Sequence, residues 1–260
     1  LDGIEKIAEI PYDFVRKRLS VIVRQDAGTR LLMKGAVEAV LSVCANQPDG
    51  RPLDDQVRAR LRERAATWNN QGIRVLAVAT REMPAQAGYG RDDESGLTFA
   101  GYLTFLDRPK AGIRDTLLEL GQLGVAVKII TGDSAAVAQH VATSVGLHAG
   151  RMLTGLQLDE LHDDALWHAA EQTVVFAEVD PNQKERIIVA LKKTGHVVGF
   201  LGDGINDAPA MHAADTSLSV EGAADVAREA ADFVLLERNL GVIRRGIEEG
   251  RRTFANTLKY

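Results

Sequence analysis

Two acids that each follow a glycine mark where this sequence could do chemistry. Gly202-Asp203-Gly204 closes the apolar run carrying Val197, Val198, Phe200 and Leu201, and Asn206-Asp207-Ala208-Pro209 then opens a helix. Two carboxylates and an amide thus cluster at the carboxyl end of a buried parallel strand, where open α/β sheets bind ligands. Hard oxygen donors of this kind suit Mg²⁺, which takes one or two carboxylates and shares its other positions with phosphate and water. The other acid ends Thr131-Gly132-Asp133, after an apolar run over 125–130. Thr131 and the N–H groups behind it could hold a phosphoryl group at the start of the next helix. Asp203 and Asp207 could hold the metal that neutralises it. Lys184, in the first turn of a helix opened by Asp180-Pro181-Asn182-Gln183, could bring a point charge to the same oxygens. Each signal is weak alone, since a Gly-rich turn, a Thr-Gly-Asp turn and a solvated lysine are all common. Their order and spacing together are a strong sign.

The elements that must position these residues alternate strand and helix. A strand over 97–106 leads into a helix start at Asp107-Arg108-Pro109, with Ile113, Leu117 and Leu120 on one face and Gly121 or Gly124 as its end. A strand over 125–130, a helix from Ser134 to Gly146 and a strand over 173–176 follow. Asp180 then starts a helix with Gln183 at the capping-box position. The strand ending in Leu201 comes next, then strands over 217–220 and 233–236, a helix near 222–231 between them, and a terminal helix from about Asn239. This rhythm predicts a doubly wound parallel sheet, whose right-handed crossovers bring the carboxyl ends of its strands to one edge.

The first third is built differently. Extended runs over 19–24 and 29–33 flank Gln25-Asp26-Ala27-Gly28, a hairpin signal. Val57, Leu61, Ala65 and Trp68 recur at helical spacing over 54–69, with Gly72 as the stop and a strand over 74–80 beyond it. Residues 84–96, rich in glycine and charge, read as an exposed loop. The change of style near 97–107 predicts a domain boundary.

Composition narrows the classes. With 260 residues, 45% hydrophobic and 26% charged, the chain can bury ordinary cores in two domains. A net charge of −5 gives no electrostatic reason to expect nucleic acid, and Arg16-Lys17-Arg18 is too short a basic run to change that. Cys44 stands alone, which rules out a disulfide within the chain and reads as a small apolar residue. No apolar run approaches the ~18 residues of a membrane span, so the chain reads as soluble. It starts at Leu1 without a Met and stops at Leu258-Lys259-Tyr260, as an excerpt from something longer would.

The combination resembles the cytoplasmic part of the P-type ATPases, within the haloacid dehalogenase superfamily. Thr131-Gly132-Asp133 is similar to the family's Thr-Gly-Asp motif, and Asp203-Gly204-Ile205-Asn206-Asp207 to its hinge motif. Lys184 is similar to its lysine after Asp-Pro, and Asp107-Arg108-Pro109 to its Asp-Pro-Pro motif, with Arg108 where Pro is usual. Phe14 falls where the family stacks adenine on an aromatic ring, Lys34-Gly35-Ala36 on the motif lining the adenine pocket, and Arg74 on the arginine approaching the phosphates. The resemblance also assigns Asp107 to the nucleotide side of the site. These roles are physically reasonable, because a ring face and a bare glycine let a planar base lie flat while Lys34 and Arg74 offset phosphate charge. Without the downstream motifs, Phe14 would read as core and Lys34 as an edge-strand device.

The resemblance implies an α/β fold: a haloacid-dehalogenase-like doubly wound sheet lacking its first, nucleophile-bearing strand, joined to an α+β nucleotide-binding domain. It puts a partial nucleotide-binding domain at 1–100, a partial phosphorylation domain at 101–250 and a stalk helix toward the membrane at 251–260. It implies ATP as substrate with Mg²⁺, and a transported cation, Mg²⁺ by the similarity of residues 10–23 and 250–260 to bacterial magnesium-importing pumps. The partners implied are the actuator and membrane domains of the same pump, at the cytoplasmic face of the cell membrane. The family's nucleophile lies in Asp-Lys-Thr-Gly-Thr, which does not occur in this sequence and would precede Leu1. In the superfamily its strand sits between those ending here in Asp133 and Asp203, so these two should not pair directly, and the isolated chain should turn over little or no ATP. A proton or calcium pump is the nearest alternative, and a non-catalytic nucleotide-binding module the next. A free-standing phosphatase or mutase would need its own Asp-x-Asp nucleophile before a Thr-Gly-Asp strand, and none is present.

Overall fold

The computed structural model describes residues 3–25, 28–106, 109–147, 150–237 and 239–259. The chain divides into two compact units, Leu1–Asp107 and Arg108–Tyr260.

The first unit is one six-stranded sheet with two helices. Its strands are β1 (Glu5–Asp13), β2 (Arg18–Gln25), β3 (Gly28–Gly35), β4 (Cys44–Asn46), β5 (Ile73–Met83) and β6 (Leu97–Leu106); α1 (Val37–Leu41) and α2 (Asp55–Asn70) complete it. The sheet order is β1-β2-β3-β5-β6-β4. All neighbours are antiparallel except β4 and β6. The expected hairpin is present, although its turn residues Asp26 and Ala27 lie outside the described residues. Alternation along β3 decides the faces: Leu31, Met33 and Gly35 are buried, whereas Leu32 and Lys34 are exposed. The buried set joins Ile22, Ala77, Ala79 and Phe99 with Val40 and Leu41 of α1 in one core. The Asp54 carboxylate caps α2 by accepting the Val57 N–H at 2.8 Å, and Gly72 takes φ +77° after its end.

Four features here were not read from the sequence. β1, α1 and β4 have no strong periodic signal, being short or interrupted by proline and charge. The fourth corrects a reading. The 84–96 segment is not exposed throughout, because Glu94 is buried.

The second unit contains two three-stranded parallel sheets. Its elements begin with α3 (Ile113–Gln122), β7 (Ile129–Ile130), α4 (Ala135–Ser144), β8 (Arg151–Thr154), α5 (Gly155–Asp159) and α6 (Asp163–Gln172). Then follow β9 (Thr173–Ala177), α7 (Pro181–Lys193), β10 (Gly199–Leu201), α8 (Ala208–Ala213), β11 (Thr216–Val220), α9 (Asp225–Glu229), β12 (Phe233–Leu235) and α10 (Gly241–Thr257). The sheet orders are β7-β9-β8 and β10-β11-β12, so β7 and β10 are each an edge and do not pair. One core serves both sheets: Phe176 and Val179 from the β9 side meet Ile187, Ile188 and Leu191 of α7, and Val198, Phe200 and Met211 beyond it.

Several boundaries shift from the sequence reading. The helix expected to open at Asp107-Arg108-Pro109 begins at Ile113, preceded by Gly112 at φ +80°; Asp107 and Arg108 lie outside the described residues. The strand expected over 125–130 shrinks to Ile129–Ile130, and the helix near 222–231 to Asp225–Glu229. The Asp180 capping box is made as expected. Gln183 N–H donates to Asp180 Oδ1 at 2.8 Å, and Asp180 N–H to Gln183 Oε1 at 3.0 Å. The Gln183 amide also donates to the Gly155 carbonyl at 3.0 Å and to Asp159 at 2.8 Å, which ties α7 to the unforeseen α5.

Candidate functional site

The second unit assembles its polar residues around the start of α7. Lys184 stands one turn in from Asp180, and its ammonium donates to Asp207 Oδ1 at 2.6 Å. Both side chains are mostly buried, 13% and 12% exposed. The other Asp207 oxygen accepts the N–H groups of Asp203 and Gly204, each at 3.1 Å. Asp207 therefore closes its own loop and holds Lys184, so its charge is already spent on neighbours. Gly202 makes this possible, because a Cβ there would lie 2.6 Å from Asp207 Cβ and 3.0 Å from Met211 Sδ. Asp203, by contrast, is exposed, and among the described residues its carboxylate has no partner. Asn206 is exposed beside it. No group of three or more His, Cys, Asp or Glu able to hold a metal occurs among the described residues. Asp203 thus carries the exposed, uncommitted carboxylate of this loop.

The Thr131 turn is fixed from the other side. Asp133 N–H donates to Thr131 Oγ1 at 3.1 Å, and that hydroxyl lies 3.2 Å from Asp133 Oδ2. Backbone bonds hold the turn against the segment after β9: Glu178 N–H to the Asp133 carbonyl at 2.9 Å, and Val179 N–H to the Thr131 carbonyl at 3.2 Å. Glu178 adopts φ +58° and turns its carboxylate to the Ala135 N–H at 3.1 Å, in the first turn of α4. Gly132 is exposed between Thr131 and Asp133. The Ser134 hydroxyl, at the cap of α4, is buried with no hydrogen-bond partner among the described residues. Residues 178–180 thus bridge the two halves, bonding the Thr131 turn on one side and starting the helix of Lys184 on the other.

The first unit offers one open sheet face. Register puts Lys34 between Leu19 and Val78, with Val78 opposite Gly101. Arg74 lies four residues before Val78 on β5 and therefore on the same face, about 13 Å along the strand. Its guanidinium sits 5.3 Å from the Phe105 ring centroid. Phe14 lies in the turn between β1 and β2, half exposed, edge-on to Tyr12 at 5.2 Å. That turn abuts the Lys34-Gly35-Ala36 segment. Ala36 N–H donates to the Lys17 carbonyl at 2.9 Å, and a Cβ on Gly35 would stand 2.6 Å from that oxygen.

What the sequence did not reveal is a buried ion cluster behind this turn. Glu94 accepts from Ser20 Oγ at 2.7 Å, from Arg18 Nε at 3.0 Å and from Arg16 Nη1. Burial pushes its carboxyl pKa up, but the bonds from Ser20, Arg16 and Arg18 outweigh burial and hold it below the usual range. The only sequence trace was a charge amid Arg91-Asp92-Asp93, which resembled a solvated run.

With this geometry in view, comparison with known proteins places the chain in a class. Residues 2–112 match the family described as P-type ATPase, cytoplasmic domain N. Over that stretch, and along the relatives below, the chain is similar to P-type ATPases. More particularly, it is 51% identical over 98% of its length to the magnesium-transporting ATPase, P-type 1, of Salmonella typhimurium, and 50% identical over 98% to that of Escherichia coli. It is 37% identical over 99% of its length to the probable cation-transporting ATPase F of Mycobacterium bovis. The chain spans 29% of the length of the two magnesium-transporting relatives and 30% of the third.

Proposed function

We propose that this chain is the ATP-binding and Mg²⁺-assisted phosphoryl-transfer portion of an ATP-driven cation pump whose cargo is Mg²⁺. In this reading the first unit is a nucleotide-binding domain. Phe14 takes the adenine, Lys34-Gly35-Ala36 lines its pocket and Arg74 meets the phosphates. Asp107 belongs to this set by sequence similarity alone. The second unit is a haloacid-dehalogenase-like phosphorylation domain, and α10 leads toward the membrane as a stalk. The actuator and membrane domains of the same pump are its partners, at the cytoplasmic face of the cell membrane.

The observation that carries the reading is the 2.6 Å bond between Lys184 and Asp207, which joins the start of α7, after β9 of one sheet, to the loop after β10 of the other. The residues present also fit the groups proposed. Asp203 presents an uncommitted hard oxygen, as a Mg²⁺ shared with phosphate requires. The buried Ser134 hydroxyl lacks a partner next to the Thr131 turn. When bound, Mg²⁺ would offset the charge of the transferring phosphoryl group. Thr131, Gly132 and Asp133 would seat that group at the start of α4, Lys184 would add its charge with Asn206 near it, and Asp203 and Asp207 would hold the metal, Asp207 also closing the loop that carries Asp203. The nucleophile, an Asp of the Asp-Lys-Thr-Gly-Thr motif, is not in this sequence. The separate edges β7 and β10 leave a place for its strand. The names of the relatives, magnesium-transporting in two cases, support Mg²⁺ as cargo.

The test has two parts. The 260-residue chain should bind MgATP and show no sustained turnover; turnover that disappears on Asp203→Ala would overturn the assignment of the nucleophile. The full-length pump should accumulate Mg²⁺ in cells in an ATP-dependent way, lost on Asp203→Ala. Accumulation of protons or calcium instead would reassign the cargo, and ATP binding without phosphorylation would make the parent a nucleotide-binding module.

A further inference from the structure

We infer that Glu94 is a positioning residue for the adenine site, holding the Phe14 turn against the Lys34-Gly35-Ala36 segment; this rests on the nucleotide-binding reading above. The Lys17 end of the turn is fixed by the Ala36 N–H at 2.9 Å and Asp13 accepts from an exposed Arg91 at 3.1 Å, which leaves the Phe14 end to be placed. The turn runs from Asp13 to Lys17, the latter at φ +51°, and its own bonds are those of Asp13 Oδ1 with the N–H groups of Val15 and Arg16, at 2.8 and 3.0 Å, and of Lys17 N–H with the Asp13 carbonyl at 2.6 Å. Those bonds shape the turn but do not set where its Phe14 end sits. Arg16 and Arg18 do that. Arg16 donates to the Pro11 carbonyl at 2.8 Å and to Glu94, while Arg18 donates to Glu94 at 3.0 Å and to the Ala39 carbonyl of α1 at 3.0 Å.

Ala39 is three residues beyond Ala36, so a single buried carboxylate links the turn bearing Phe14 to the segment bearing Lys34. The Glu94 side chain is fully enclosed, and those of Arg16 and Arg18 are 14% and 15% exposed. Two guanidinium groups this close, drawn out of water, require that anion between them. Ser20 fixes its second oxygen, so the carboxylate has one orientation and transmits it to both arginines. Without it the arginines repel and the turn loses the anchor that sets the Phe14 ring relative to Gly35. Lys34 is held by the backbone ladders of β3 to β2 and β5, and Arg74 by those of β5 to β3 and β6, so neither needs the Glu94 carboxylate for its register. The role is therefore selective for the base.

The experiment measures binding of ATP and of inorganic tripolyphosphate, which has the charge and no base, to the 260-residue chain by calorimetry. Glu94→Gln should weaken ATP binding about tenfold and leave tripolyphosphate binding unchanged or stronger. In a Phe14→Ala background Glu94→Gln should cost nothing further, and Glu94→Asp, which keeps the charge, should restore part of the ATP affinity. Should Glu94→Gln fail to fold, Glu94→Asp and Ser20→Ala carry the same ligand comparison, each with a smaller loss confined to ATP. Equal losses for both ligands, or a full added loss in the Phe14→Ala background, would overturn the inference by making Glu94 a general stabiliser. Wild-type chain that binds ATP no better than tripolyphosphate, with Phe14→Ala neutral, would instead remove the adenine site itself and Glu94's role with it.

Discussion

Lys184 and Asp207, 23 residues apart, meet at 2.6 Å with both side chains largely out of solvent. The pair fastens α7 to the loop that follows β10. Lys184→Met should therefore leave a mostly buried carboxylate supported only by the two N–H groups of its own loop. We expect a loss of about 3 kcal/mol, read as a lower urea midpoint with unchanged slope. Adding Asp207→Asn should cost much less than it does alone, since the two residues act as a unit.

Gly202 and Gly204 flank Asp203 but differ in what a methyl group would meet. At Gly202 the neighbours are Asp207 Cβ at 2.6 Å and the Met211 sulfur at 3.0 Å; at Gly204 the nearest atom is Asp207 Oδ2 at 3.5 Å. Gly202→Ala must push Asp207 off Lys184 and should cost about 1–3 kcal/mol. Gly204→Ala should change stability by less than about 0.5 kcal/mol. Thermal unfolding of the two variants side by side checks this, and equal losses would show that the loop yields freely.

The contrast between these loops and the ion cluster explains what the sequence could and could not disclose. The Asp180–Gln183 capping box and the α2 helix with its Asp54 cap are local events, decided within four residues, and each was legible. Lys184, Asp203 and Asp207 could likewise be singled out by type and spacing alone. Asp207 was legible as an acid at a strand end but not as the partner of Lys184, since that pairing depends on how α7 packs against the loop. Glu94 was misread altogether. Its partners lie 74 to 78 residues away, and a buried carboxylate in a run of charge is indistinguishable from a solvated one until those partners are found. The three-residue β4 has no periodicity to show, while α5 carries a local signal in its Thr154–Gln157 capping box but is only five residues long.

Cys44 tests the core of the first unit. Its thiol is buried, and burial pushes its pKa up to about 11, with Arg58 opposing only slightly. Thiolate is the reactive form, so at mildly alkaline pH the folded protein should present almost none. Iodoacetamide labelling followed by mass spectrometry should find Cys44 unmodified in the native protein and fully modified in urea. Rapid native labelling would mean that the α1–β4 region opens readily.

The Glu94 cluster also makes stability depend on acid in a direction that can be worked out. Its carboxyl pKa is held below the ordinary glutamate value of 4.5 in the folded protein, while the unfolded chain returns to that value. Between the two values the unfolded state binds more protons than the folded state, so stability rises with pH across that window. The contribution is fully present above about pH 4.5 and is lost as pH falls through the folded value. Urea unfolding of wild type and Glu94→Gln at several values from about pH 6 to about pH 3 should show the wild type losing its advantage below pH 4.5. At the acid end the two curves should draw together, since a protonated Glu94 resembles the amide in size and charge. Curves that stay parallel throughout would mean that Glu94 keeps its proton affinity on folding, and that the arginines do not stabilise its charge.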